Sequence, residues 1–304
     1  MYAVIDIGSN TVRLVLYRLV SGEFRQVLSS KESAGLAGYV EKDGRMNERG
    51  IQKAIRVLQH FQQLLSEIHP DKIFAFATAS LRNISNTEEV LAAITAVCPL
   101  DIQVLSGEKE ALLDYYGALR TITRPEGLMV DIGGGSTELV YFRDRQAERA
   151  SSLPMGSLNL YNRFVHDVLP TEKELDAISA YAQEQIRQLS FPLPDGQRPE
   201  LLCGVGGTCR ASCKLSDELY HESAGYTGYP CKRIAKMLRL FHSDRRRLLS
   251  AMIKSAPDRL HTLLPGLAIL DAVSDYFGCT SFSASPYGVR EGYLLYRLED
   301  RHEP

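Results

Sequence analysis

Apolar residues along the chain alternate between short runs typical of strands and longer stretches at helical spacing. Residues 2–6 and 12–19 are strand-like runs on either side of a small polar loop, which predicts a β-hairpin. A helix is predicted from Asn47, a residue suited to capping, to His69-Pro70, where the proline disfavours further helix. Its apolar stripe recurs every three or four residues: Ile51, Ile55, Leu58, Phe61, Leu65 and Ile68.

The rest of the first half also alternates between predicted strands and predicted helices. Residues 73–77 form an apolar strand, a helix over 88–97 follows with Asn86 as its predicted cap, and residues 101–105 form another strand. Ser106-Gly107 then opens a further helix. Residues 123–127 are predicted to link two domains.

The second half repeats the opening pattern. A strand at 128–130, a glycine-rich loop and a returning strand at 138–142 are followed by a turn at Asp144. Thr171 and Glu174 form a capping box for a helix to about Leu189, and 192–199 is a proline-rich loop. A strand at 201–203 enters a third glycine turn, 204–208, and a terminal helix runs from 288 to about 298. Strand–loop–strand followed by helices, twice over, predicts an α/β protein with mixed sheets.

The two loops are candidates for phosphate binding. Asp6-Ile-Gly-Ser-Asn-Thr11 and Asp131-Ile-Gly-Gly-Gly-Ser-Thr137 each follow a short apolar strand. Glycine lets backbone N–H groups approach phosphate oxygens, and an aspartate at the strand end can hold Mg²⁺ directly or through water. Two near-copies predict a duplicated architecture with phosphate held between two halves.

Composition narrows the class of protein. The 304 residues suit two domains, and a net charge of −2 gives no general attraction to nucleic acid or membrane. The first predicted strand starts at residue 2, so we expect no signal peptide and a cytoplasmic location. The six cysteines lack zinc-site spacing and are expected to be buried thiols. The basic stretch 232–259 is either a solvated helix face or a track for an extended anion.

Six motifs in order resemble the Ppx/GppA phosphatase family, which comprises exopolyphosphatases and guanosine pentaphosphate phosphatases of the actin-like ATPase superfamily. The matching segments are 3–11, 77–82, 106–111, 131–138, 204–208 and 287–292. The resemblance implies two actin-like (ribonuclease H-like) domains with mixed sheets, flanking helices and an interdomain cleft. Domain I would span 1–122, with the C-terminal helix, 288–304, packing back on it, and domain II would span 123–287.

The resemblance also implies roles for individual residues. Glu110 would activate water, while Asp131 and Glu138 would be catalytic acids that also bind the metal together with Asp6. The metal would be Mg²⁺ or Mn²⁺. Phosphate would be bound by Gly8, Ser9, Asn10, Thr11, Arg82, Gly133, Gly134, Gly135, Ser136 and Thr137. Arg13, Arg210 and Arg290 are weaker candidates.

The implied function is hydrolysis of the terminal phosphoanhydride of inorganic polyphosphate, with pppGpp 5′-phosphohydrolase as the alternative. A small-molecule kinase and a weakly active polyphosphate or alarmone sensor are further hypotheses. Three family arginines are replaced here, at Gly35, Leu112 and Asn159, which weakens the case for tight polyphosphate binding and motivates the sensor hypothesis. Either the basic residues at 232–259 compensate for this loss, or the substrate is shorter. A homodimer is expected from the family, with no nucleic acid polymer or membrane as partner.

Overall fold

The chain divides into two compact units, Met1–Gly107 and Glu108–Pro304. The computed structural model describes residues 1–191, 193, 198–221 and 228–298, and the statements below concern those residues. Part of the predicted loop at 192–199, and the part of the terminal segment beyond 298, lie outside them. We predicted a boundary at 122/123, whereas the compact units divide between Gly107 and Glu108.

The first unit is built on a five-stranded sheet. Its strands are β1 (Tyr2–Ile7), β2 (Thr11–Val20), β3 (Glu23–Ser33), β4 (Lys72–Ala77) and β5 (Ile102–Val104). They lie in the order β3-β2-β1-β4-β5, with β1–β2 and β2–β3 antiparallel and β1–β4 and β4–β5 parallel. The sheet is therefore mixed, as predicted.

Helices complete the first unit. They are α1 (Glu48–Ile68), α2 (Ala79–Arg82) and α3 (Thr87–Thr95). Asn47 caps α1 by accepting from the Gly50 N–H at 3.1 Å, as predicted. Asn86 is the N-cap residue of α3, as predicted, but its side chain does not cap the helix. It bonds the backbone N–H and carbonyl of Met46 instead, at 2.9 and 3.1 Å. Those two bonds tie the start of α3 to the loop before α1.

The second unit repeats this sheet and extends it. Its strands are β6 (Gly127–Ile132), β7 (Thr137–Arg143), β8 (Gln146–Leu153), β9 (Leu201–Val205), β10 (Gly228–Pro230) and β11 (Ser281–Ala284). The order is β10-β11-β9-β6-β7-β8, so β8-β7-β6-β9-β11 corresponds to β3-β2-β1-β4-β5 in order and direction. The predicted duplication is thus a repeat of sheet topology.

Eight helices are described in the second unit or at its start. They are α4 (Gly107–Ala118), α5 (Ser157–Phe164), α6 (Glu172–Gln188), α7 (Gly206–Tyr220), α8 (Lys232–Ser243), α9 (Arg245–Ser255), α10 (Leu263–Phe277) and α11 (Val289–Leu298). The capping box of Thr171 and Glu174 is present at the start of α6. None of the helices described is long and apolar enough to cross a membrane.

The second sheet is covered on both faces by apolar packing. One face, with Leu128 and Val130, joins the larger core formed with α6, α7 and α10. The other face, with Met129 and Val140, packs against Ala111 of α4. Residues alternate between faces along a strand, so this division decides which polar residues lie on the side of α4.

Candidate active site

The second hairpin and α4 bring three predicted acidic residues together. Asp131 and Glu138 are cross-strand partners at the loop end of β6 and β7. Because side chains alternate between the faces of a sheet, Asp131 lies on the same face as Met129, and Glu138 on the same face as Val140. Met129 and Val140 both lie on the face that α4 covers. Glu110 lies in the first turn of α4. Residues distant in sequence therefore form one acidic cluster.

Burial and mutual repulsion govern the electrostatics of this cluster. Glu110 and Glu138 are 7% and 1% exposed. Burial raises the pKa of Glu138 well above its usual value, and the nearby Glu110 and Asp131 raise it further. The Ser152 hydroxyl donates to Glu138 Oε1 at 2.7 Å, which opposes that rise. Carboxylates held this close favour either proton sharing or a bound cation.

A fourth carboxyl, Asp114, belongs to the cluster and was absent from the predicted site. It is fully buried on α4, one turn after Glu110. Burial, followed by the charges of Asp131, Glu110 and Glu138, raises its pKa well above the usual range. In the sequence it resembles an ordinary polar helix residue, and the one available signal was its i+4 spacing from Glu110.

The second loop is held by hydrogen bonds from the first turn of α5 to its carbonyl groups. Gly133 O accepts from Ser157 N at 2.9 Å, Gly134 O accepts from Leu158 N at 3.0 Å, and Gly135 O accepts from Asn159 Nδ2 at 2.9 Å. In a trans peptide the N–H points opposite to the preceding carbonyl. The N–H groups of Gly134, Gly135 and Ser136 are therefore turned away from α5, as an anion cradle requires.

Other contacts fix the shape of that loop. The Gly156 backbone lies so close that an added Cβ would be 2.4 Å from the Gly134 carbonyl. Thr137 is fully buried and its hydroxyl donates to the Met155 carbonyl at 2.6 Å, so this predicted phosphate-binding side chain braces the loop. Asn159 stands at a position where the resemblance implies an arginine. Its side chain holds the loop through the hydrogen bond from Nδ2 to Gly135 O and adds no charge.

The first loop has similar internal geometry within the first unit. Gly8 N donates to Thr11 O at 3.0 Å, closing the turn, as Gly133 N does to Ser136 O. Asn10 O accepts from Gly35 N at 2.9 Å, and Ser9 O accepts from Ala37 N at 3.0 Å, which turns the N–H groups of Asn10 and Thr11 the other way. The segment that replaces a family arginine therefore supports the loop.

The first hairpin nevertheless differs in charge. Asp6 is opposite Arg13 in the strand register, where Asp131 is opposite Glu138. A pair of facing acids is thus a feature of the second hairpin. Arg82, at the end of α2, is partly buried and its Nη1 donates to the Leu105 carbonyl at 3.2 Å. Its predicted role in phosphate binding stays a prediction.

The third glycine turn, between β9 and α7, adjoins the acidic cluster. An added Cβ on Gly206 would lie 2.1 Å from Asp131 Oδ1, and one on Gly207 would lie 1.9 Å from Arg259 Nη2. Burial lowers the pKa of Arg210, as does the charge of Arg290, whereas Asp131 opposes that change. The third glycine turn therefore has Asp131 against Gly206 and the Arg259 guanidinium against the next residue.

Three arginines of the basic stretch at 232–259 make local contacts. Arg245 donates to the Pro170 carbonyl at 3.3 Å and Arg247 to the Leu219 carbonyl at 2.8 Å. Arg233 stacks on Tyr220 and donates to Ser216. These contacts favour a helix-bracing role over a track for an extended anion.

The predicted metal would have to be held by the carboxyl groups of the acidic cluster. Among the residues described, no group of three or more His, Cys, Asp or Glu is arranged to hold a metal ion. Mg²⁺ is commonly held by only one or two carboxylates together with waters and substrate phosphates. Asp131 and Glu138, facing one another in a cluster of like charge, fit that pattern. Asp6 lies in the first unit, and its role as a metal ligand stays a prediction.

Duplicated mixed sheets, glycine loops with outward-turned amides and a buried acidic cluster define an α/β protein with a candidate site for an anionic substrate. Comparison with known families identifies it further. The Ppx/GppA phosphatase family matches residues 15–302, nearly the whole chain, and the protein belongs to that family. Membership supports a hydrolase that acts on phosphoanhydrides.

Solved structures agree with this assignment. The crystal structure of the Aquifex aeolicus member of the Ppx/GppA family is 26% identical with a TM-score of 0.80, over 99% of this chain and 98% of that chain. An exopolyphosphatase from Cytophaga hutchinsonii is 22% identical with a TM-score of 0.81, over 99% and 98%, and shows the shared fold. The predicted fold class of two actin-like domains is confirmed; the cleft between them stays a prediction.

Proposed function

We propose that this protein is an exopolyphosphatase that hydrolyses the terminal phosphoanhydride of inorganic polyphosphate and releases phosphate. The observation that carries the proposal is the convergence of Glu110, Asp131 and Glu138 on one face of the second sheet. Family membership supports the reaction class, and the acidic cluster supplies the groups that such hydrolysis needs.

Glu110 acts as the general base. As the oxygen of water bonds to the terminal phosphorus, Glu110 takes a proton from that water and the bridging P–O bond breaks, leaving the shortened chain. The amides of Gly134, Gly135 and Ser136 donate to phosphate oxygens. Asp131 and Glu138 would hold Mg²⁺ or Mn²⁺, which when bound would neutralise charge on the phosphate oxygens.

The alternative substrate, pppGpp, is favoured by the arginines near the third glycine turn. Arg259 lies against Gly207, and the charge of Arg290 helps to lower the pKa of Arg210, after burial. A nucleotide with phosphates on two ribose positions could use a cationic cluster in addition to the glycine loops.

Phosphate release from long-chain polyphosphate and from pppGpp should be measured side by side, with Mg²⁺ and with excess EDTA. Glu110→Gln is expected to lower kcat by about 10²-fold or more, while substrate binding is retained. Glu108→Gln is the matched control, because Glu108 is an exposed residue on the same helical turn.

Each result decides between the hypotheses. Release from pppGpp alone would replace the proposed substrate with the alternative. Tight binding with no release from either substrate would favour the sensor. Full activity of Glu110→Gln would exclude Glu110 as the general base. Full activity in EDTA would exclude a requirement for the metal.

A further inference from the structure

Helices α4 and α11 touch through their backbones. An added Cβ on Gly117 would lie 2.1 Å from Gly288 O, and one on Gly292 would lie 1.9 Å from Leu113 O. Lys109 Nζ, at the start of α4, also donates to the Tyr296 hydroxyl at 3.2 Å. Residues later in α4 contact residues earlier in the segment that contains α11, so the two helices are antiparallel. Helix α11 therefore packs along α4 from Lys109, next to Glu110, to Gly117.

The first turn of α11 is capped by one carboxyl group from outside the helix and one from within it. Gly288, which precedes the helix, has no side chain with which to cap it. Asp114 of α4 supplies an acceptor, with its Oδ1 taking a hydrogen bond from Val289 N at 2.7 Å. Glu291 supplies another from within α11, as its Oε2 accepts from Gly288 N at 2.9 Å. Two carboxyl groups thus satisfy two of the N–H groups that a helix start leaves open.

Asp114 also faces the acidic cluster. Residues four apart lie on the same side of a helix, so Asp114 and Glu110 share one side of α4. Asp114 is fully buried, and among the residues described its Oδ2 has no hydrogen-bond partner. Its one described hydrogen bond is the one to α11. The charge of Glu110 is one of the causes, after burial and Asp131, that raise the pKa of the Asp114 carboxyl group.

We propose that Asp114 is a positioning residue for Glu110: by joining α4 to the first turn of α11, its carboxyl group fixes where the Glu110 carboxylate lies. This inference rests on the proposed function, in which Glu110 is the base. The Oδ1 contact requires an acceptor and not a negative charge, so the amide oxygen of asparagine should replace it. An isosteric apolar side chain should not, because it leaves the Val289 N–H without its acceptor.

The test compares Asp114→Leu, Asp114→Asn and Glu291→Leu by steady-state kinetics and thermal unfolding. Asp114→Leu is expected to lower kcat by about 10-fold or more, with KM within about 2-fold, because a small displacement of a catalytic group is costly. Asp114→Asn should restore kcat to within about 3-fold of the parent. Glu291→Leu, which removes the other cap of α11 and changes no residue of α4, should lower the melting temperature but keep most of kcat.

A double-mutant cycle separates this inference from the proposed function. In a Glu110→Gln background, Asp114→Leu should cause no further loss of kcat, because it acts through Glu110. If Glu110→Gln retains full activity, the proposed function fails whatever Asp114 does.

Four outcomes would overturn the inference while Glu110 remains the base. They are parental kcat in Asp114→Leu, an equal kcat loss in Glu291→Leu, no rescue by asparagine, and a loss that adds fully to that of Glu110→Gln. Should Asp114→Leu fail to fold, Val289→Pro removes the same hydrogen bond from the donor side. Proline suits the first position of a helix. Full activity of that variant would also overturn the inference.

Discussion

Replacing Gly156 with alanine tests whether the second loop must keep its position. Gly156 has φ −126° and ψ 166°, an extended conformation that alanine adopts readily, so the cost is steric. The new Cβ would lie 2.4 Å from the Gly134 carbonyl carbon and 2.5 Å from Gly135 N. Both contacts are with backbone atoms, which cannot swing aside as a flexible side chain could.

Ordinary contact would require the loop or the start of α5 to move by about 1 Å, and a displacement of that size in a catalytic arrangement can cost about 10²-fold in rate. We therefore expect kcat/KM for phosphate release from polyphosphate to fall by about 10²-fold. Overpacking should also lower the free energy of unfolding by about 1–3 kcal/mol, measured by urea titration.

Gly38→Ala is the matched control. Its Cβ would meet no atom within 4 Å, and Gly38 does not have a positive φ. It should keep parental activity and stability. If Gly156→Ala retained parental kcat/KM while its stability fell as expected, the loop amides would not need their observed position, and the reasoning would be refuted.

Three further predictions concern stability and reactivity. Thr171→Ala removes the capping box of α6 and should lower the free energy of unfolding by about 1 kcal/mol in a urea titration; no change would show the cap to be redundant. Burial raises the pKa of Asp271 to about 6, so the stability contributed by its protonated form is present below about pH 4 and lost as pH rises through about 6. Asp271→Asn should thus be more stable than the parent by roughly 1 kcal/mol at pH 7.5, after allowance for solvent screening, and equal to it at pH 4; equal stability at both would contradict this. All six cysteines are buried, so a thiol reagent should label the folded protein far more slowly than the urea-unfolded chain, and six fast reactions would refute it.

Sequence reasoning succeeded where local chemistry decides structure. The glycine loops, the Asn47 cap and the capping box of Thr171 and Glu174 depend on residues that are neighbours in the chain, and each forms as predicted. Strands β3 and β8 were missed, because both are outer strands with mainly exposed or partly exposed residues and lack the apolar alternation that marks a strand. Asn86 was assigned a local bond, but a contact with Met46, 40 residues away, prevailed.

The sequence by itself determined the family, the repeated strand–loop–strand pattern and the acids worth examining, because motif order and short-range spacing carry that information. The tertiary structure alone decided which face of the second sheet α4 covers, and so why Glu110, Asp131 and Glu138 share one site with Asp114. It also decided that α5 turns the loop amides outward and that α11 caps against Asp114. These outcomes depend on contacts between segments far apart in the chain, which no local pattern encodes.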